Sequence, residues 1–201
     1  IPTSANGERN MRKEVRISGF GGQGIVLAGY VLGKALALYD GCNAVMTQSY
    51  GPEARGGASS ANIVISDEPI DFPFVQHPDV LVVLSQEAYS KFHKSAKPDA
   101  LILIDEDLVL PDPGDETFKI PATRFAEELG KRIVANIVMV GFFTGITGLV
   151  SHKAVLKAIS DSVKPSTVDL NIDAFQLGLS HASIQEQPSM HQCQIEQEQR
   201  I

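Results

Sequence analysis

An α/β fold of three layers, with a mostly parallel sheet between helices, is what this sequence predicts, and three observations predict it. A strand, a glycine-rich turn and a helix follow one another from Glu14 to Leu38, a Rossmann-like start. Val80–Leu84 and Leu101–Ile104 are continuous apolar runs, the mark of strands covered on both faces. The run Gln86–Ser95 between them has helical character, and an apolar strand, helix, apolar strand order points to parallel pairing.

Taken in order, Glu14–Ser18 (EVRIS) alternates polar and apolar, the period of a strand. The ten residues before Met11 are polar and without pattern, so residues 1–10 read as a tail or a cloning remnant and the domain as residues 11–180. Ile25–Leu38 has apolar residues around most of its circumference, as a helix buried against a sheet does. Asn43–Gln48 and Ala61–Ile65 read as the second and third strands, and Ser85 as the cap of the helix Gln86–Ser95. Beyond the turn Pro111-Asp112-Pro113-Gly114, Lys119-Ile120 gives a short strand and Thr123 the cap of a helix to Leu129. Val134–Leu149 is an apolar segment whose Gly141, Gly145 and Gly148 leave room for another backbone. Ser151 caps a helix to Ser162, and Val168–Leu179 forms the last. From residue 181 to 201 glutamine and glutamate dominate, the composition of a disordered or weakly helical tail.

The 201 residues carry a formal charge of −7, which argues against nucleic acid as a partner, since phosphate backbones call for a concentrated basic field. No apolar run reaches the roughly 20 residues of a membrane span. The expectation is a cytoplasmic protein with no membrane contact. Cys42 and Cys193 form no C-x-x-C pair, and the histidines at 77, 93, 152, 181 and 191 have no metal-ligand spacing, so no metal site is predicted on this chain.

Gly19, Gly21 and Gly24 satisfy G-x-G-x-x-G between a strand and a helix, where backbone N–H groups and the positive helix end favour an anion. A nicotinamide dinucleotide also requires a carboxylate at the end of the second strand, and that strand ends Thr47-Gln48-Ser49. A self-contained NAD(P)-binding oxidoreductase is therefore the alternative and not the preferred reading. Tyr50, Gly51, Pro52, Glu53, Ala54, Arg55, Gly56 and Gly57 follow that strand and should emerge at the same sheet edge as the first turn. There Arg55 supplies a permanent planar cation, Glu53 a partner to orient it, and Tyr50 a ring or hydroxyl. Asn136, alone on an apolar helix, reads as a structural hydrogen bond to a nearby loop backbone. Asp105, Glu106 and Asp107 read as a solvated loop outside the site.

GFGGQGI at residues 19–25, SYGPEARGGAS at Ser49–Ser59, ISDEPI at Ile65–Ile70, PDVLV at Pro78–Val82, and Asn136 five residues before Gly141 together resemble the gamma subunit, or fused gamma domain, of the 2-oxoacid:ferredoxin oxidoreductases. The resemblance spans Arg12–Leu179, and the TQ-SYGPEARGGAS run is most similar to the 2-oxoglutarate branch, with the pyruvate and branched-chain enzymes close by. It implies a complex that decarboxylates a 2-oxoacid oxidatively, sends electrons through iron–sulfur clusters to ferredoxin and transfers the acyl group to coenzyme A. Thiamine diphosphate, Mg and the clusters would belong to alpha, beta and ferredoxin-like delta partners, and this chain would be inactive alone. On the matching positions the resemblance implies a coenzyme A or subunit-contact role for Gly21, Gly22, Gln23, Gly24, Tyr50, Gly51, Pro52, Glu53, Arg55, Gly56 and Gly57, with no catalytic residue among them. Which of the two roles they serve stays open, because glycine loops suit close backbone packing as readily as ligand approach. A chain made for a complex also keeps an apolar patch when alone, so a homodimer in isolation is expected.

Overall fold

The computed structural model describes residues 11–49 and 58–185. Its centre is a six-stranded sheet of order β2-β3-β1-β4-β5-β6, formed by β1 (Arg12–Phe20), β2 (Asn43–Ser49), β3 (Ala58–Ser66), β4 (Val80–Val83), β5 (Leu101–Asp105) and β6 (Phe118–Ile120). The pairs β1–β4, β4–β5 and β5–β6 are parallel, whereas β3 lies antiparallel between β1 and β2. Five strands thus share one direction, and the mostly parallel sheet expected from the sequence is present with one reversed member. The reversal follows from connectivity. β2 and β3 are joined by only the eight residues 50–57, too few for the crossover of a dozen or more that a parallel pair requires.

One face of the sheet is covered by α1 (Ile25–Lys34), α3 (Ala122–Glu128), α4 (Ala135–Thr147), α5 (His152–Ser160) and α6 (Val168–Ala182); α2 (Gln86–Phe92) covers part of the other. Alternation along β1 assigns its side chains. Val15 and Ile17 enter the large core with Ile63 and Ile65 of β3 and Val80 and Val82 of β4. Leu81 and Val83 project the other way, to meet Ala88 and Tyr89 of α2. Also on that side, Arg16 donates to Asn62 Oδ1 (2.8 Å) and to the Val75 carbonyl (2.7 Å), fastening the segment after β3 across the sheet.

The helix predicted over Ile25–Leu38 is α up to Lys34 and closes as a π turn, Ala35–Tyr39. Ser85 and Ser151 cap α2 and α5 as expected, accepting from the N–H groups of Ala88 and Ala154. Thr123 does not cap α3: the helix begins at Ala122 after Pro121, and Thr123 lies inside its first turn. The cap comes instead from Asp105 at the end of β5, whose Oδ2 accepts from the Thr123 N–H (3.1 Å) and hydroxyl (2.6 Å). Asp105 is accordingly fully buried, not part of a solvated loop. The expectation failed because three consecutive acids look alike in sequence, while only the first ends a strand against a helix N-terminus. Desolvation is the largest influence on the Asp105 carboxyl and raises its pKa, with the Thr123 hydroxyl pulling the other way.

The apolar α4 crosses α6 at glycines. A Cβ on Gly141 would fall within the Phe175 carbonyl, and one on Gly178 of α6 would fall within the Val138 carbonyl. Gly145 faces Ala182 in the same seam. Gly148 has another reason to be glycine, since it ends α4 in the left-handed region at φ 61°. α6 runs three residues beyond Leu179; the predicted tails fall outside the described residues over 1–10 and 186–201.

Candidate functional site

β1 ends at Phe20 and α1 begins at Ile25, so Gly21–Gly24 make the whole turn at the carboxyl edge of the sheet. Two of these residues require glycine for conformation, Gly22 at φ 94° and Gly24 at φ 74°, both strained for any L side chain. The space around them differs. Among the described residues a Cβ on Gly21 or Gly22 would meet nothing within 4 Å, but one on Gly24 would strike the Asn136 amide. That amide, 2% exposed, donates to the Gly24 carbonyl at 3.0 Å, the loop-backbone bond the sequence predicts for it. Asn136 Oδ1 also accepts from the Ile137 N–H at 2.9 Å, so both ends of the carboxamide are satisfied.

Gln23, the one side chain in the turn, is folded back into it. Its Oε1 accepts from the Phe20 N–H at 2.6 Å, and its Nε2 donates to the Leu84 carbonyl at 2.8 Å. The carboxamide thus ties the end of β1 to the end of β4, and Gly19 must lack a side chain because a Cβ there would meet Oε1 at 2.5 Å. What remains toward solvent at Gly21 and Gly22 is main chain at the start of a ten-residue helix, whose first-turn N–H groups have no carbonyl one turn earlier to bond.

Two cavities flank this turn. One of about 270 Å³ lies against Gly22, Gln23, Leu84 and Thr123 and is also lined by Arg132 and Ile133. The other, about 500 Å³, borders Gly24 and Asn136 and carries Lys131 and Lys164. Among the described residues neither is lined by a carboxylate, although the chain as a whole carries −7. Arg132 is 64% exposed and held only by a 3.8 Å pair with Glu127, weak at such exposure, so its guanidinium is available. These cations were not among the sequence candidates. The signal was Gly130-Lys131-Arg132, a basic turn just before α4, which pattern alone does not place beside the first loop.

Tyr50, Gly51, Pro52, Glu53, Arg55, Gly56 and Gly57 lie outside the described residues. Their points of attachment do not: Ser49 pairs with Ser60, and Ala58 pairs with Phe20, the residue before the glycine turn. The segment therefore begins and ends at the sheet edge that carries Gly21–Gly24. Among the described residues no group of three His, Cys, Asp or Glu side chains could hold a metal ion, and no helix is long and apolar enough to cross a membrane.

An α/β domain with a cation-flanked glycine turn at its carboxyl sheet edge belongs to the class of proteins that present main-chain N–H groups to an anion or a neighbouring chain. Its sequence places it more closely: the chain belongs to the pyruvate ferredoxin/flavodoxin oxidoreductase family, which matches residues 14–181. It is 57% identical over 173 residues to the 2-oxoglutarate synthase subunit KorC of Methanocaldococcus jannaschii, covering 84% of this chain and 92% of that one. The KorC subunit of Methanothermobacter marburgensis is 53% identical over 177 residues, 84% of this chain and 95% of the other. Among solved structures, the keto/oxoacid ferredoxin oxidoreductase gamma subunit of Geobacter sulfurreducens superposes with a TM-score of 0.79 at 42% identity, covering 87% of this chain and 98% of that one.

Proposed function

We propose that this chain is the gamma subunit of a 2-oxoglutarate synthase, a 2-oxoacid:ferredoxin oxidoreductase that converts the oxoacid and coenzyme A to an acyl-CoA with release of carbon dioxide. The observation that carries the substrate branch is the 57% identity to KorC over 84% of this chain and 92% of that one. In this reading the alpha and beta chains, with a ferredoxin-like delta chain, hold thiamine diphosphate, Mg and the iron–sulfur clusters, and ferredoxin takes the electrons. This chain contributes no reacting group. It receives the anionic part of coenzyme A at the Gly21–Gly24 turn, with Arg132 and Lys131 neutralising phosphate charge and Arg55 of the Tyr50–Gly57 run supplying a cation for a second anionic group. Such positioning lowers the barrier by orientation and electrostatics. Alone, the chain pairs with a second copy, and it works in the cytoplasm. The NAD(P) alternative has no support from the family, and β2 ends without the carboxylate it needs.

Purification of the tagged chain from its native host, followed by anaerobic assay, tests this. Alpha and beta chains should accompany it, and the complex should reduce ferredoxin with 2-oxoglutarate and coenzyme A in preference to pyruvate or 2-oxoisovalerate. An isolated chain that reduces NAD(P) by itself, or a complex that prefers another oxoacid, defeats the assignment or its substrate branch respectively.

A further inference from the structure

The two outer strands of the sheet are treated differently. β6 is three residues long and contains Lys119, whose carbonyl is capped by Gln185 Nε2 (2.7 Å) and the His181 ring (3.2 Å) from the end of α6. Short length, a lysine and a covering element are the ways natural sheets guard an edge. Among the described residues β2 has none of them. It is seven residues long, Asn43-Ala44-Val45-Met46-Thr47-Gln48-Ser49, with no charge and no proline, and every residue is in register with β3. Among the described residues no strand meets its outer side. Beside it an apolar groove of about 620 Å³ runs along α1, lined by Val26, Leu27, Tyr30 and Met46, with Tyr30 51% exposed.

From this contrast we infer that β2 is a homodimer seam: it pairs antiparallel with β2 of a second copy of this chain, joining two six-stranded sheets into one of twelve, with Tyr30 and its neighbours on α1 meeting their counterparts across the two-fold axis. An unpaired row of N–H and C=O groups calls for a strand as its occupant. The charge pattern selects a second copy. In an isologous contact any charge on β2 would be set near its own image, and all seven residues of the strand are uncharged, so this is the edge on which two copies meet without like-charge opposition. With the axis at Met46, Asn43 faces Ser49, Ala44 faces Gln48 and Val45 faces Thr47, so no like charges oppose and no large side chain meets another except methionine, which adapts its shape. The inference gives an interface to the self-association proposed above and rests on it, but not on the identity of the oxoacid.

The test uses the full chain, purified alone, in sedimentation equilibrium and in hydrogen exchange at two concentrations. A dimer is expected, with the amides of residues 43–49 protected at high concentration and exchanging faster after dilution into the monomer range. Thr47→Lys places on β2 the residue natural edges use, and Tyr30→Glu charges the groove from an exposed helix position where folding is not at stake. Each should raise the dissociation constant about tenfold or more, with the far-ultraviolet dichroism of the monomer unchanged. A monomer at every concentration, or a dimer that survives both substitutions, overturns the inference. So does protection of residues 43–49 that is indifferent to dilution, which assigns the edge to the chain's own remaining residues, or that arises only when alpha and beta chains are added. Oxoacid turnover by the complex is a separate readout, so loss of the dimer and loss of the functional assignment are distinguishable.

Discussion

Glycine does opposite work at the two glycine-bearing centres of this molecule. In the α4–α6 seam, Gly141 and Gly178 are glycine because a neighbouring backbone already fills the volume a methyl would take. In the Gly21–Gly24 turn, Gly22 and Gly24 are needed for backbone conformation, whereas no described residue fills the space over Gly21 and Gly22. One set of glycines is consumed by the fold and the other leaves main chain facing outward. The difference separates a packing motif from a site that ordinary sequence inspection cannot separate, since both read as glycines on apolar ground.

The sharpest way to break this comparison is to add one methyl group to each centre. Gly178→Ala or Gly141→Ala drives Cβ into a carbonyl on a helix with no freedom to retreat, and should cost about 3 kcal/mol or more in chemical denaturation, or prevent soluble expression. Next in size is Asn136→Ala, which removes one of the two donors to the Gly24 carbonyl and leaves it only the Ala28 N–H. A loss of about 1–3 kcal/mol is expected, with activity of the assembled complex falling because the turn loses its tether to α4. Arg132→Ala should leave stability within about 0.5 kcal/mol of the parent, given its exposure and weak ion pair, while raising the KM of the complex for coenzyme A and sparing that for the oxoacid. Gly21→Ala is the smallest perturbation of the fold, neutral or stabilising by about 0.5 kcal/mol, since nothing crowds the position and its backbone lies outside the left-handed region. Any defect it causes must appear in coenzyme A kinetics or complex assembly.

A pH measurement sharpens the picture of the same edge. Burial raises the Asp105 pKa above its ordinary 3.8, so the folded chain binds this proton more tightly than the unfolded one. The contribution of Asp105 to stability is then greatest in acid and declines as pH rises from about 3.8 through the raised value. Asp105→Asn, which keeps an acceptor for the Thr123 N–H, should flatten that part of the stability profile against pH; a profile parallel to the parent's would disprove it.

The parts legible in the sequence were those governed by local chemistry or by one-dimensional pattern. EVRIS showed its two faces, Ser85 and Ser151 showed their helix starts, and Asn136 showed its need for a bond because a lone amide on an apolar helix leaves few other choices. What was hidden depended on which elements meet. The cap of α3 is supplied by Asp105 from a different strand, so no local spacing around Thr123 discloses it. The cations at the turn come from residues 131–132 and 164, more than a hundred positions from Gly24, and the packing of α4 and α5 against α1 brings them there. The reversed β3 was foreseeable from the short link before it, but an apolar strand reads the same in either direction.

Gln23 has a consequence for discrimination. With its carboxamide committed at both ends to Phe20 and Leu84, the turn has no side-chain functional group left to interrogate a guest. Recognition there can register only negative charge and fit to the main chain, so this surface is blind to the carbon skeleton of the acid being oxidised. On the proposed coenzyme A role, choosing among oxoacids falls to groups elsewhere in the assembly, and one such turn can serve enzymes of different substrate preference without changing a residue.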